Sequence, residues 1–164
     1  MAIFTLNEVC EIIKGDTGIK KAIPGDYPLV VTAKERASHN EYQFDTKAVC
    51  VPLVSSTGHG HASINRIHYQ ESKFALGSIL AAIIPKDEGF LKPKYLYIYL
   101  SQMKDLILVP LMKGGANVSL TINKLKTVEV EIPSLEKQIK IMEIVEQIEK
   151  KNIKISETLN EGNK

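Results

Sequence analysis

No apolar run in this chain approaches the roughly 18 residues that a membrane-spanning helix needs. The longest candidate, Ala75–Ile84, falls well short and is broken by Gly77. Met1-Ala2-Ile3-Phe4 lacks a basic n-region, so no secretory signal is read there and a cytoplasmic location is expected. Cysteine is scarce. Cys10 and Cys50 sit in apolar contexts, which predicts two reduced, buried thiols. A strong charge bias is missing too: the net charge of +2 permits an anionic partner without demonstrating one. There is no internal repeat and no low-complexity tract. What remains is a chain of 164 residues, 44% hydrophobic, long enough for one cored domain with an appendage.

Motifs for chemistry are also lacking. Lys113-Gly114-Gly115-Ala116 has no Gly-Lys-Ser/Thr ending and is not a phosphate loop of the Walker type. No Gly-x-Gly-x-x-Gly follows a strand. No Asn/Asp-Pro-Pro-Tyr/Phe, the adenine-methyltransferase motif, is present. His59, His61 and His68 invite a metal reading, with Asp45 and Glu71 as further ligands, but no spacing marks a set of three or four. A metal-dependent hydrolase built on His59 and His61 is therefore retained only as an alternative. Asp87-Glu88 lies beside Gly89 and reads as a solvated turn.

The local patterns describe many short strands between helices. Thr5-Leu6-Asn7-Glu8 is a capping-box pattern. Leu6, Val9, Cys10 and Ile13 then predict a helix that Gly15 stops. Residues 14–28 read as loop, Leu29–Thr32 as a short strand and residues 33–41 as polar. Further strand-like runs fall at Tyr42–Phe44, Ala48–Leu53, Ile67–Tyr69 and Ser78–Ile84. Pro93 opens a helix to about Met103. A short helix near Ile122–Leu125 precedes the last strand.

The end of the chain is the clearest passage. Val128-Glu129-Val130-Glu131-Ile132 alternates with period two, as a half-buried strand does. Pro133 stops it and Ser134 is placed to cap the next element. From Leu135 the apolar spacing becomes helical. Ile141, Val145, Ile148, Asn152, Ile155 and Leu159 are spaced alternately by four and three, the mark of a coiled-coil seam. Packing back onto its own domain would use the same stripe. The fold class expected is α+β, with a mixed, strongly bent sheet and flanking helices over residues 1–133. A long C-terminal helix for dimerisation and docking would occupy residues 134–164.

Polar loops recur between the apolar segments. They carry Lys20, Lys21, Lys34, Arg36, Ser38, His39, Asn40, Ser55, Ser56, His59, His61, Asn65, Arg66, Lys113 and Asn117. Lys, Arg, Asn, Ser and His are the side chains that reach phosphates and base edges.

Several segments together resemble a known family. Tyr95-Leu96-Tyr97-Ile98-Tyr99-Leu100, then Gly114-Gly115-Ala116, Leu125 and Val130-Glu131-Ile132-Pro133-Ser134-Leu135-Glu136-Lys137-Gln138 look like the latter half of a target-recognition domain. Such domains occur in the specificity subunits of type I restriction-modification systems. Ser134 stands where proline is common in that family's junction, and Lys137 where glutamate is common. Leu6 through Lys14-Gly15-Asp16-Thr17 looks like the family's opening.

The resemblance implies a non-catalytic protein that reads a half-site in double-stranded DNA and docks a methyltransferase subunit, with an endonuclease or translocase subunit as a further partner. S-adenosylmethionine and ATP would belong to those partners, and this chain would hold no cofactor. Complete specificity subunits carry two recognition domains and two such helices. One of each implies a half-subunit, natural or a fragment, whose antiparallel homodimer would read an interrupted palindrome. A regulator that competes for the methyltransferase and a coiled-coil adaptor without a DNA role are the rival readings.

Overall fold

The structure is a computed structural model that describes residues 2–58 and 60–162. The chain opens with β1 (Ala2–Thr5), α1 (Leu6–Val9) and β2 (Cys10–Lys14). After a 3-10 turn at Ile19–Lys21 come β3 (Tyr27–Val30), β4 (Ala37–His39), β5 (Phe44–Asp45), β6 (Ala48–Pro52), β7 (His68–Gln70), β8 (Lys73–Leu76) and β9 (Leu80–Pro85). Then follow α2 (Pro93–Ile107), a 3-10 turn at Val109–Leu111, α3 (Ile122–Lys126), β10 (Glu129–Ile132) and α4 (Leu135–Gly162). Among the described residues, no helix is long and apolar enough to cross a membrane.

The architecture is α+β. One four-stranded sheet has the antiparallel order β2-β9-β6-β7. A second has the order β4-β3-β8-β5 and is mixed, because β3 runs parallel to β8. β1 and β10, from opposite ends of the chain, form a separate antiparallel ribbon with Ala2 opposite Ile132. β6 and β9 explain how the layers meet. Val49, Val51, Ala81 and Ile83 point into the main core with Leu96 and Leu100 of α2. Their neighbours Ala48, Cys50, Leu80 and Ala82 point the other way, onto Phe44, Phe74 and Leu76. Strands buried on both faces read as continuous apolar runs rather than alternating ones, which is how Ala48–Leu53 looks in sequence. β10 is the contrasting case. Val130 and Ile132 are buried while Glu129 and Glu131 are exposed.

The helix predicted from Leu6 to Ile13 is corrected. The capping box forms as expected: Glu8 N donates to the Thr5 hydroxyl, and Thr5 N donates to the Glu8 carboxylate. The helix nevertheless ends at Val9, and Cys10–Lys14 becomes a strand paired along its length with β9. Ile12 and Ile13 are β-branched and gain more from a neighbouring strand than from a further helical turn. Gly15 therefore ends a strand, not a helix. Its backbone passes so close to β8's end that an added Cβ would lie 2.0 Å from Gly77 O. Three strands were also not anticipated: β1, β4 and β8. Both cysteines are free and buried as expected, and burial pushes their thiols up to about 12.

Long helix α4 starts where the Ser134 hydroxyl accepts from Lys137 N. Its first part lies on the domain, with Ile141 and Met142 packed against the main core. Beyond Val145 the helix is exposed to its end at Gly162.

Candidate nucleic-acid interface

A belt of backbone hydrogen bonds gathers distant loops into one rim. Gly77 N donates to Val30 O (2.9 Å) and Ser78 N to Thr17 O (2.9 Å). Leu53 N donates to Ile79 O (2.8 Å), Leu120 N to Leu53 O (2.8 Å) and Ser55 N to Val118 O (2.9 Å). The loops that follow β3, β6 and β8, and the loop before α3, thus meet at one end of the sheets. Gly114 permits the turn that precedes Asn117. Its φ of 142° is outside the range of most side chains, and a Cβ there would lie 2.1 Å from Asn117 O.

From this frame Lys113 and Asn117 project as exposed side chains. Lys20 and Lys21 are exposed on the Ile19–Lys21 turn, which borders Ser78 and Ile79. Lys34, Ser38, Asn40, His61 and Asn65 are exposed as well. None of these lysines takes part in the ion pairs found among the described residues. His59 lies outside the described residues.

Other candidates make hydrogen bonds within the chain. Ser55 Oγ donates to His61 O and accepts from Ser63 N (3.0 Å), and Ser56 Oγ accepts from Asn65 N (2.9 Å). These hydroxyls shape the 55–65 loop from inside. His39 Nδ1 accepts from Ile23 N (3.1 Å), which holds β4 against the segment before β3. Arg66 Nη1 donates to Thr32 O (2.9 Å).

Arg36 is the most heavily engaged. Its Nε donates to Gln70 Oε1 (2.7 Å), its Nη1 to His68 Nδ1 (2.9 Å) and its Nη2 to Tyr69 O (3.0 Å). His68 Nε2 in turn donates to Ala33 O (2.8 Å), so Nδ1 is the free acceptor of a neutral ring. Burial lowers the His68 pKa below its ordinary 6.5, and the adjacent Arg36 guanidinium lowers it further. Together these bonds staple residues 32–36 to β7 and leave Lys34 at the exposed crest. Among the described residues, no three His, Cys, Asp or Glu side chains stand close enough to share a metal ion.

The helix seam divides into two parts. Ile141 and Val145 are half-buried against their own domain, Val145 beside Met142, Tyr69 and Lys94. Ile148, Asn152, Ile155 and Leu159 are exposed along the free arm. Ile144 is exposed on the same arm and was not anticipated.

Two groups escaped sequence reasoning. Gln70 was invisible because its partner, Arg36, comes from the distant loop between β3 and β4. Gln138 stands in the quoted junction, yet nothing in its neighbours' chemistry marked it as fully buried. Its exposure is 0%.

Residues 1–162 match the family described as type I restriction modification DNA specificity domain. The S subunit of a type I restriction-modification system from M. genitalium is similar over 91% of this chain, with a TM-score of 0.71 at 15% identity. The HsdS subunit from Thermoanaerobacter tengcongensis is similar over 92%, with a TM-score of 0.63 at 20% identity. At such identities the likeness shows the fold alone. The chain spans 39% and 37% of those two proteins. No curated protein matches it significantly. The match over residues 1–162 places this chain in the type I restriction-modification DNA specificity domain family.

Proposed function

We propose that the chain reads a half-site in double-stranded DNA and presents a methyltransferase subunit to it, without performing chemistry itself. The observation that carries this reading is the rim, where loops from both four-stranded sheets present Lys20, Lys21, Lys34, Lys113, Asn65 and Asn117 outward. Lysines suit phosphates, and asparagine suits bidentate contact with adenine. Arg36 and Arg66 support the rim from beneath. An endonuclease or translocase subunit is a further partner in this reading, and S-adenosylmethionine and ATP belong to the partner subunits.

The exposed arm of α4 suits antiparallel pairing with a second copy through Ile148, Asn152, Ile155 and Leu159. A two-fold axis turns the two domains in opposite directions on the duplex, so the target is an interrupted palindrome. The helix has 28 residues, about 42 Å at 1.5 Å each, against about 34 Å for a DNA turn. Half-site centres then lie roughly 10–12 base pairs apart.

The test is methylation mapping in cells that express this chain with a methyltransferase subunit and no other specificity protein. A palindromic, interrupted target is expected. Two unrelated halves, or no change in methylation on removing this chain, would refute the reading.

A further inference from the structure

We infer that Gln138 is a positioning residue that sets the angle between α4 and the recognition domain, and thereby the spacing of the two half-sites. The second half of this statement rests on the function proposed above. The first half rests on geometry alone.

Gln138 is fully buried near the start of the helix, and both polar atoms of its side-chain amide bond to backbone partners. Oε1 accepts from Lys92 N (2.9 Å), at the N-cap of α2. Nε2 donates to Phe90 O (2.9 Å) and to Pro133 O (3.0 Å). One planar group therefore grips both connections that meet there, the β9–α2 turn and the β10–α4 junction. An amide with two donors and one acceptor fits this site in a single orientation, whereas an apolar contact would tolerate rotation. The surrounding contacts share that purpose. Tyr95 Oη donates to Glu131 O (2.9 Å), joining α2 to β10, and Phe90 meets Phe4 edge-on at 5.3 Å. No other polar side chain of α4 is buried among the described residues.

The position of the clamp makes it a pivot. From Gln138 to Gly162 the helix runs about 36 Å at 1.5 Å per residue. A swing of about 10° moves its tip by about 6 Å, close to two base-pair steps of 3.4 Å. Two copies related by a two-fold axis double the error. A loose pivot therefore blurs the spacing while leaving each rim, and so each half-site sequence, unchanged.

The experiment measures the pivot directly. Spin labels placed at E41C and E157C report the distance between domain and arm, in labelled protein diluted with unlabelled protein so that only distances within one chain count. The native thiols do not compete, being buried and unreactive. One narrow distribution is expected for the parent. Q138L keeps the side chain's bulk but loses all three bonds, and should broaden the distribution by several Å. K92P is the milder variant: Lys92 has φ −74°, suited to proline, and the ring replaces the N–H that Gln138 accepts from while leaving the two bonds that Gln138 donates. It should broaden the distribution less, and it decides the matter if Q138L does not fold. With the methyltransferase present, both variants should methylate targets one base pair longer and shorter than the parent's, with unchanged half-sites. Unchanged narrow distributions in folded variants overturn the clamp. Broad distributions with an unchanged spacing overturn its role in specificity. A parent that directs no methylation overturns the functional reading and leaves the clamp standing.

Discussion

Arg36→Ala separates a supporting arginine from a base-reading one. The side chain is half-buried and spends three donors on Gln70 Oε1, His68 Nδ1 and Tyr69 O. A hydrogen bond to a charged group contributes about 1.5–3 kcal/mol, and a stranded buried acceptor costs about 1–3. Part of the network reaches solvent, so the losses do not simply add. A total of about 3 kcal/mol is expected. For a chain of this size that lowers the melting temperature by about 6–12 °C. Arg36→Lys should recover little, since an ammonium cannot reproduce the three-way fork. Lys34→Ala, two residues away and exposed, should stay within about 0.5 kcal/mol of the parent. Urea and thermal melts followed by circular dichroism measure all three. If Arg36→Ala melts with the parent while half-site discrimination collapses, the guanidinium faces bases and the supporting role is wrong.

The remaining predictions use the same side chains. His68 is neutral in the folded chain with its pKa lowered by burial and by Arg36. The unfolded state then binds the proton more readily, so stability is full above pH 6.5 and falls as pH drops below it. Denaturant midpoints at pH values on either side of that point should show this fall, and His68→Gln should flatten it; an identical slope in both proteins would assign the effect elsewhere. Replacing Lys20, Lys21 or Lys113 with Ala should weaken binding of the assembled complex to all DNAs, lowering the salt slope by about 0.9 for each phosphate left without its lysine. A change confined to one target sequence would instead make that lysine a base reader. Ile148→Glu should yield monomers by ultracentrifugation, because the charge enters the seam unpaired, while Glu157→Lys, on the exposed face opposite the seam, should leave the dimer intact. Monomeric parent protein at micromolar concentration would remove the basis for that comparison and for the palindrome.

What was legible in the sequence, and what was not, follows the range of the interactions involved. The β10–α4 junction was readable because each cause is local: period-two alternation, a proline stop, a serine cap and a change to helical spacing. The capping box at Thr5 and Glu8 was readable for the same reason. The helix expected over Leu6–Ile13 failed because its apolar spacing also suits a short helix followed by a strand. β9, which decides between them, lies far along the chain. β8 was concealed inside the apolar stretch around Ala75. Just before it Ser72, with a φ of 66°, lies in the short turn by which the chain leaves β7 for the other sheet. Residue type marked the polar loops as an anion-facing surface, but type alone could not divide them. Arg36 and Lys34 look alike as cations. Their roles part only when the fold brings Gln70, His68 and the Tyr69 carbonyl beneath one of them.

The same division bears on how such a rim changes its target. Side chains that shape the loops from within, Ser55, Ser56, Arg36 and Arg66, fix the loop backbone through bonds whose partners are mostly main-chain atoms. Those partners persist when neighbouring side chains change. Lys34, Asn65, Lys113 and Asn117 are exposed on that frame, and their replacement leaves those supporting bonds unbroken. Exchange at such positions therefore costs little stability while altering what a duplex meets. The long helix obeys the opposite constraint. Besides the packing of Ile141 and Met142, its seat on the domain includes the buried amide of Gln138, whose replacement leaves Lys92 N, Phe90 O and Pro133 O without their side-chain partner. On the proposed function, the architecture thus pairs a reading surface open to substitution with a spacing element that is not.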